Sequence, residues 1–417
     1  MPASLVPAVV IRKAALRLVP FLGLLYFVSF LDRVNVGYAA LTMNADIGLS
    51  ASTFGLGAGI FFLGYFVFEV PSNLILQRVG ARIWIARILI TWGIVSMAMA
   101  AVRGPASFYA VRFVLGVAEA GFFPGIILYL TYWFPSETRA RIVGWFMLAV
   151  PLSNVIGAPL STTLMVHPFL SLSGWQSMFV AEGIPAVILG FVVLLRLPDR
   201  PGTASWLTPE ERACLEGALG QEAPRLASLR AGLASGRVWL LALVYFGLVI
   251  GLYGLGFWAP QIIRAFGDLS VRQVGLLVAV PYLVAGVAMV IWGRHSDASG
   301  ERVWHVCLPT WVGAAGFAVS ALAVDPLVSL TALTVGAIGI YAALPVFWTL
   351  PTAMLGGSAA AGGIALVNSL GNLGGYLGPF AIGWLKDATG AYTAGLLVLT
   401  TAMAASGLIA LYVGNDS

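Results

Sequence analysis

Twelve apolar runs, each long enough to cross a bilayer, constrain this chain more than any other feature of its sequence. A membrane span needs about 20 mostly apolar residues. Runs of that kind fall at 18–40, 53–76, 83–102, 105–133, 141–165 and 177–197. After a polar gap, six more fall at 238–260, 272–293, 304–324, 327–354, 359–385 and 391–413. In lipid, every backbone N–H and C=O must be satisfied inside the structure, so such runs fold as helices packed on one another. Only 9% of the 417 residues are charged, against about 25% in a soluble domain, so no soluble core could absorb the sequence. The expected fold class is an all-α membrane protein of twelve transmembrane helices in two six-helix halves. The halves are 1–197 and 238–417, with a connector at 198–237.

The connector contains "LTPEE", with Thr208 as N-cap, Pro209 at the first helical position and Glu211 at the third. That is a capping box and predicts a short surface helix. The first run is read as a retained helix, because it is long, ends in Asp32-Arg33 and lacks a small-residue cleavage site. Cys214 and Cys307 stand at unrelated positions, which suggests neither a disulfide framework nor a metal site.

Lys and Arg set the expected orientation. With the N-terminus inside, 16 of the 22 basic residues face the cytoplasm. They cluster before the first span, around the 2–3, 4–5 and 8–9 loops, and from Arg196 to Arg237. Four lie outside (Arg103, Arg264, Arg272 and Lys386), and Arg33 and Arg112 lie within spans. The basic character is thus a topology signal rather than a nucleic-acid footprint. The expected location is the cell inner membrane, with both termini cytoplasmic and the chain a monomer. A faint internal repeat supports pseudo-symmetric halves. "QRVGAR" in loop 2–3 aligns with "DASGER" in loop 8–9, which puts Gly80 on Gly300 and Arg82 on Arg302. Parallel six-helix halves around a central site are a known transporter plan.

Ionisable groups at bilayer depth cost about 2.5–3.5 kcal/mol on insertion scales and mark ion or substrate paths. The candidates are Asp32, Arg33, Glu69, Arg112 and Glu119, with Glu182 near the outer end of the sixth span, at the interface. All lie in the first half. From Val238 to Pro260, Gln273 to Gly293, Val306 to Val324, Pro326 to Leu385 and Ala388 to Asn415 the second half carries no Asp, Glu, Lys or Arg, so these stretches can offer only neutral hydrogen bonds and aromatic walls. Asp32 and Arg33 are adjacent, so on a helix they diverge by about 100° and cannot simply neutralise each other. Arg112 and Glu119 are two turns apart on one face, with Gly116 between them to admit another backbone. Fixed guanidinium groups suit a carboxylate substrate. Buried acids suit proton uptake and release. The division expected from this chemistry is protons on Asp32 and Glu119, and substrate on Arg33 and Arg112.

Further candidates are neutral or aromatic. Tyr65, one turn from Glu69, and Trp348, beside the break before Pro351, are candidate cavity walls. Asn368 and Asn372, one turn apart among glycines, are candidate substrate contacts. Asn154, between two prolines, is a weaker one, and Gly59, Gly121 and Gly125 are read as packing positions. Glu69, preceding Pro71, is assigned to a gate or to packing. His167, His295 and His305 are expected to be solvated.

Several stretches carry a resemblance to the major facilitator superfamily. "GRHSDASGER" resembles its loop motif, with Gly293, Asp297, Gly300 and Arg302 in place; the first-half copy departs, with Gln77 where an Asp is usual. "RFVLGVAEAG" (112–121) resembles its helix-4 motif. "FLDRVNVGYA" (30–39), "GIFFLGYFVFEVPSNL" (59–74), "WLTPEE" (206–211) and "GIALVNSLGNLGGYLGP" (363–379) are similar to the anion:cation symporter branch. That branch includes bacterial tartrate, galactonate, phthalate and nicotinate transporters. The resemblance implies that the acids matching Asp32 and Glu119 couple protons and that the matching arginines serve the substrate. It also favours Asn368 as a substrate contact.

The functional expectation is a proton-coupled importer of a small organic carboxylate, such as a tartrate-like or sugar-acid anion. It would need no cofactor beyond the coupling proton, no metal and no nucleic acid. The alternatives are an importer of an aromatic carboxylate and a proton-coupled exporter, although "VIGAPLS" keeps only part of an exporter's helix-5 motif. A membrane enzyme is disfavoured, because there is no H-E-x-x-H, no G-x-S-x-G and no Cys/His cluster.

Overall fold

A computed structural model describes residues 8–219, 234–354 and 357–415; the remainder of the connector, 220–233, lies outside the described residues. Among the described residues there is helix and no strand. Among the described residues, eleven helices are long and apolar enough to span a membrane. We label them α1 (Ala8–Asp46), α2 (Ala51–Val79), α3 (Ala81–Ala101), α4 (Pro105–Thr131), α5 (Ile142–Val166), α6 (Gly174–Arg196), α7 (Gly236–Arg264), α8 (Val271–Ser299), α9 (Val303–Leu322), α10 (Pro326–Pro351) and α12 (Thr393–Gly414). The expected eleventh span is divided into Gly357–Asn372 and Gly374–Thr389, which together form α11. Gly371, Gly374 and Gly375 crowd the division, and their low helix propensity explains why an apolar run yields two short helices.

Two helices depart from uniform rods where the site needs it. α4 ends its first segment at Glu119 and resumes at Phe122. Gly121 makes the break with φ of 84°, a left-handed conformation that other residues adopt only at a cost. Gly121 is therefore a turn residue as well as a packing position. α10 breaks at Trp348, three residues before Pro351.

In the first half α3 lies along α6, α2 along α4, and α1 against α5 and α6; in the second, α9 packs on α10 and α12, and α7 on α11 and α12. The halves meet where α2 faces α11, α5 faces α8 and α1 faces α7. Small residues set the spacing. A Cβ on Gly59 would fall 2.7 Å from the Tyr376 carbonyl oxygen of α11, and one on Gly37 would fall 2.8 Å from that of Phe257 on α7. Without a hydrophobic drive between helices in lipid, such backbone contact carries much of their association.

The connector helix, Pro209–Leu219, begins with the expected box: Thr208 N–H donates to Glu211 Oε2 at 2.9 Å, and Glu211 N–H to Thr208 Oγ1 at 3.2 Å. Lys13 Nζ of α1 donates to the same Glu211 carboxylate at 2.7 Å. Hydrogen bonds from Lys13 and the Thr208 N–H hold that carboxyl below the usual range. The two loop motifs differ. Arg302 Nη1 binds Asp297 at 2.8 Å, and Gly300 closes α8 in the left-handed region. Gly293 has open space around it. In the first half, Gln77 leaves a vacancy that the connector fills. Asp199 accepts the Arg82 N–H at 2.8 Å, with Arg82 Nε 3.7 Å from its other oxygen. The histidine expectation fails for His305, which is buried. Its Nε2 lies 2.7 Å from His295 Nδ1, and its Nδ1 lies 2.6 Å from Glu301. Burial raises the Glu301 carboxyl, but donation from the Trp304 and His305 N–H groups outweighs it and holds Glu301 below its usual value.

Candidate functional site

A cavity lies between the halves, and among the described residues one charged side chain, Arg33, lines it. α1 delivers Arg33 to this wall and turns Asp32 away from it, as adjacency on a helix requires. Arg33 is 6% exposed; its two terminal nitrogens are engaged with the protein, while Nε has no partner. Nη2 forms an ion pair with Glu119 of α4, and Nη1 donates to the Tyr253 hydroxyl of α7 at 2.7 Å. Ser29 Oγ, one turn back on α1, donates to the same Glu119 oxygen at 2.8 Å. The rings of Phe30, Phe61 and Tyr65 lie within 5.6 Å of the guanidinium carbon and satisfy the cation on its faces. The helix break at 120–121 places Glu119 in the last turn of its segment, facing α1.

Arg112 lies elsewhere. It is completely buried between α4 and α2 and donates to the carbonyl oxygens of Gly57 at 3.3 Å and Ala58 at 2.9 Å. It does not line the cavity, and Glu119 pairs with Arg33 instead. The two-turn spacing suggested one shared face, but the break after Glu119 and the close α2–α4 approach divide their partners. The Arg112→Ala variant should therefore lose folded stability by about 2–5 kcal/mol, the range for emptying a large buried site. The check is the thermal midpoint of the purified protein alongside substrate affinity. A lowered midpoint with near-normal affinity is expected.

The second half contributes what its composition permits. Tyr65 of α2 lines the cavity from the first half; Asn368 and Asn372 line it from the second, joined by Tyr245, Tyr253 and Tyr341. Sequence reasoning missed these three tyrosines, because a Tyr in an apolar span reads equally well as packing. The available signal was that they are hydroxyl-bearing groups in spans without charge. Trp348 lies behind the wall, edge-on to Tyr245 at 4.8 Å between ring centroids, and does not line the cavity. Asn154 Nδ2 bonds its own helix at Val150 O, 3.0 Å away, and approaches Tyr341 Oη at 3.4 Å.

Two contacts clamp α2 to α11. Glu69 accepts from Asn368 Nδ2 at 2.6 Å and Ser369 Oγ at 3.0 Å. At the opposite end, Asp387 accepts from the Ala51 and Ser52 N–H groups at 3.1 and 2.7 Å, a carboxylate seated on the N-terminus of α2. Asn368 belongs both to the clamp and to the cavity wall.

Asp32 is 1% exposed and accepts from Trp92 Nε1 of α3 at 2.8 Å. Glu182, expected at the interface, is instead 2% exposed. It accepts from Asn35 Nδ2 at 3.0 Å and Ser161 Oγ at 2.6 Å. Position along a span was a poor guide here, because α1, α5 and α6 enclose that depth from three sides.

A helical membrane bundle with a central, cation-lined cavity and clamps at both ends of one helix pair defines a transporter rather than an enzyme. The Major Facilitator Superfamily model matches residues 22–379, and the chain belongs to that family. It is 56% identical over 413 residues to a "Putative tartrate transporter" of Agrobacterium vitis, covering 98% of this chain and 92% of that one. It is 44% identical over 410 residues to a "Quinolone resistance transporter" of Acinetobacter baumannii, covering 97% and 94%. The fold is similar to that of the xylose transporter XylE from E. coli in a partially occluded inward-open conformation, with a TM-score of 0.74, 16% identity and 97% of each chain covered. The chain is a multi-pass membrane transporter of an organic substrate.

Proposed function

We propose that the chain imports a small organic carboxylate together with protons across the inner membrane, as a monomer with both termini cytoplasmic. The observation that carries this reading is the single guanidinium on the cavity wall, faced by hydroxyls and carboxamides from the opposite half. Arg33 anchors the substrate carboxylate through two parallel hydrogen bonds. Asn368, Asn372, Tyr65 and Tyr253 read the rest of the molecule. Glu119 competes with the substrate for Arg33: a proton on Glu119 removes the competing charge and frees the guanidinium. Asp32 carries a coupling proton on the other side of α1. An anion entering a negative interior is opposed by about 2.3 kcal/mol per charge per 100 mV, which co-transported protons offset.

Alternating access proceeds by opening one α2–α11 clamp at a time. Substrate engaging Asn368 draws its amide from Glu69 and weakens that clamp. Glu69→Ala should shift the resting population towards opening at that end. Spin labels at the two ends of α2 and α11 would read this as longer distances at the Glu69 end and unchanged distances at the Asp387 end.

Exchange measurements in proteoliposomes at equal pH test the substrate class. Tartrate, sugar acids and aromatic carboxylates outside should trade against labelled tartrate inside. A panel in which only amphiphilic cations exchange would eliminate the carboxylate reading. Export is the second reading, favoured by similarity to a relative named for quinolone resistance. Arg33 on the cavity wall is poorly suited to cationic cargo.

A further inference from the structure

The outer surface of the first half carries a cation that the fold leaves without an anion. Arg87 lies on one helical stripe of α3 with Ile83 and Ile94, which are 49% and 52% exposed, so the stripe faces lipid. We propose that Arg87 and Trp84, with Arg78 across the turn at Gly80, bind the phosphate of an anionic phospholipid. The site concerns the membrane around the transporter and stands apart from the substrate and proton roles given above.

Trp84 supplies a fixed platform. Its Nε1 donates to Ser72 Oγ of α2 at 2.9 Å, and the Arg87 guanidinium carbon lies 3.8 Å from its ring centroid. The indole therefore covers one face of the guanidinium. The edges of the cation are not served. Nε is enclosed without a partner, and among the described residues no carboxylate pairs with the group and no oxygen accepts from it. The two terminal nitrogens are neither bonded nor enclosed. Other arginines of this half are provided for. Arg33 and Arg82 pair with acids, and Arg112 donates to two carbonyl oxygens.

Depth and surroundings name the ligand. Arg87 lies six residues beyond Ala81, about 9 Å along the α3 axis, which is the level of lipid headgroups and of interfacial Trp. The fork of a guanidinium binds phosphate through parallel N–H bonds. Apolar surface continues from it along Ile83 and Ile94 of α3 and along Leu74 and Ile75 of α2, which are also exposed. A phospholipid offers both an anionic oxygen pair and hydrocarbon, whereas a free phosphate offers only the first. Arg78, exposed in the last turn of α2, adds a second cation that no acid pairs with among the described residues, while Asp199 holds Arg82. Two uncommitted cations without an acid favour a headgroup of net negative charge over a zwitterionic one. The platform also reaches the substrate half of the molecule. Ser72 abuts Gly121, whose turn ends the α4 segment that presents Glu119.

Native mass spectrometry of the detergent-purified transporter reads the site directly, with phosphatidylglycerol and phosphatidylcholine of matched chains titrated in turn. The wild type should bind phosphatidylglycerol more tightly. Arg87→Gln should weaken that binding at least about fivefold, the worth of one basic group at a charged surface, and leave phosphatidylcholine binding unchanged. Arg87→Lys keeps the charge but loses the fork; it should fall between the two and serves if the Gln variant does not fold. Arg103→Gln, which removes an exposed arginine beyond the far end of α3, should change nothing. Phosphatidylglycerol affinity unchanged in both Arg87 variants, or in the Lys variant where it alone folds, overturns the site. An equal loss in Arg103→Gln overturns it too, because net charge alone would then explain the binding. Inorganic phosphate that displaces phosphatidylglycerol at equal concentration would mark a free-anion site and overturn the lipid assignment.

Discussion

Replacing Arg33 should nearly abolish transport while leaving the protein folded. Arg33→Lys keeps the charge but loses the planar fork, so one ammonium cannot serve Glu119, Tyr253 and a substrate carboxylate in the geometry of the guanidinium. Removing one member of a buried hydrogen-bonded charge pair costs about 2–5 kcal/mol, or roughly 30-fold to several thousand-fold in affinity. Arg33→Ala should sit at the severe end, because it also leaves Glu119 buried without its cation. Substrate binding to purified protein provides the check. Near-normal affinity in Arg33→Lys would remove Arg33 from the substrate site. Glu119→Gln supplies the contrast: it should retain binding, since a neutral amide no longer competes for the guanidinium, and lose much of its pH response.

Asp32→Asn should separate transport from its energy source. Asparagine resembles the protonated acid in shape but can neither take up nor release a proton, and its amide oxygen can still accept from Trp92. Each coupled proton contributes about 1.4 kcal/mol per pH unit, or roughly tenfold in accumulation. The variant should therefore lose about tenfold accumulation for every unit of pH gradient and retain exchange at equal pH. Loss of exchange as well would make Asp32 a structural or substrate group.

These two outcomes rest on how unevenly the sequence discloses the fold and the site. The spans were legible because lipid imposes a run of some 20 apolar residues wherever the chain crosses. The capping box at Thr208 was legible because its chemistry is local. The divergence of Asp32 and Arg33 followed from helix geometry alone. The partner of Arg33 did not. Helical spacing offered Arg112 as the partner of Glu119, whereas the choice is made by the break at Gly121 and by how α1 lies against α4. The same limit hid Asp199, which replaces a missing loop acid from more than a hundred residues away, and Glu182, whose burial depends on three helices meeting. The cavity tyrosines were hidden differently: a residue type that serves equally as packing announces nothing until it is seen on the cavity wall, as Tyr253 is with its hydroxyl on Arg33.

The central claim is that proton movement drives accumulation of an organic carboxylate. Its most direct test is uptake of labelled tartrate into proteoliposomes with acid outside and neutral pH inside. Accumulation above the external concentration, collapsing when a protonophore is added, is the predicted result. A pH gradient that leaves every carboxylate tested at simple equilibration, while an amphiphilic cation is expelled against it, would contradict the account.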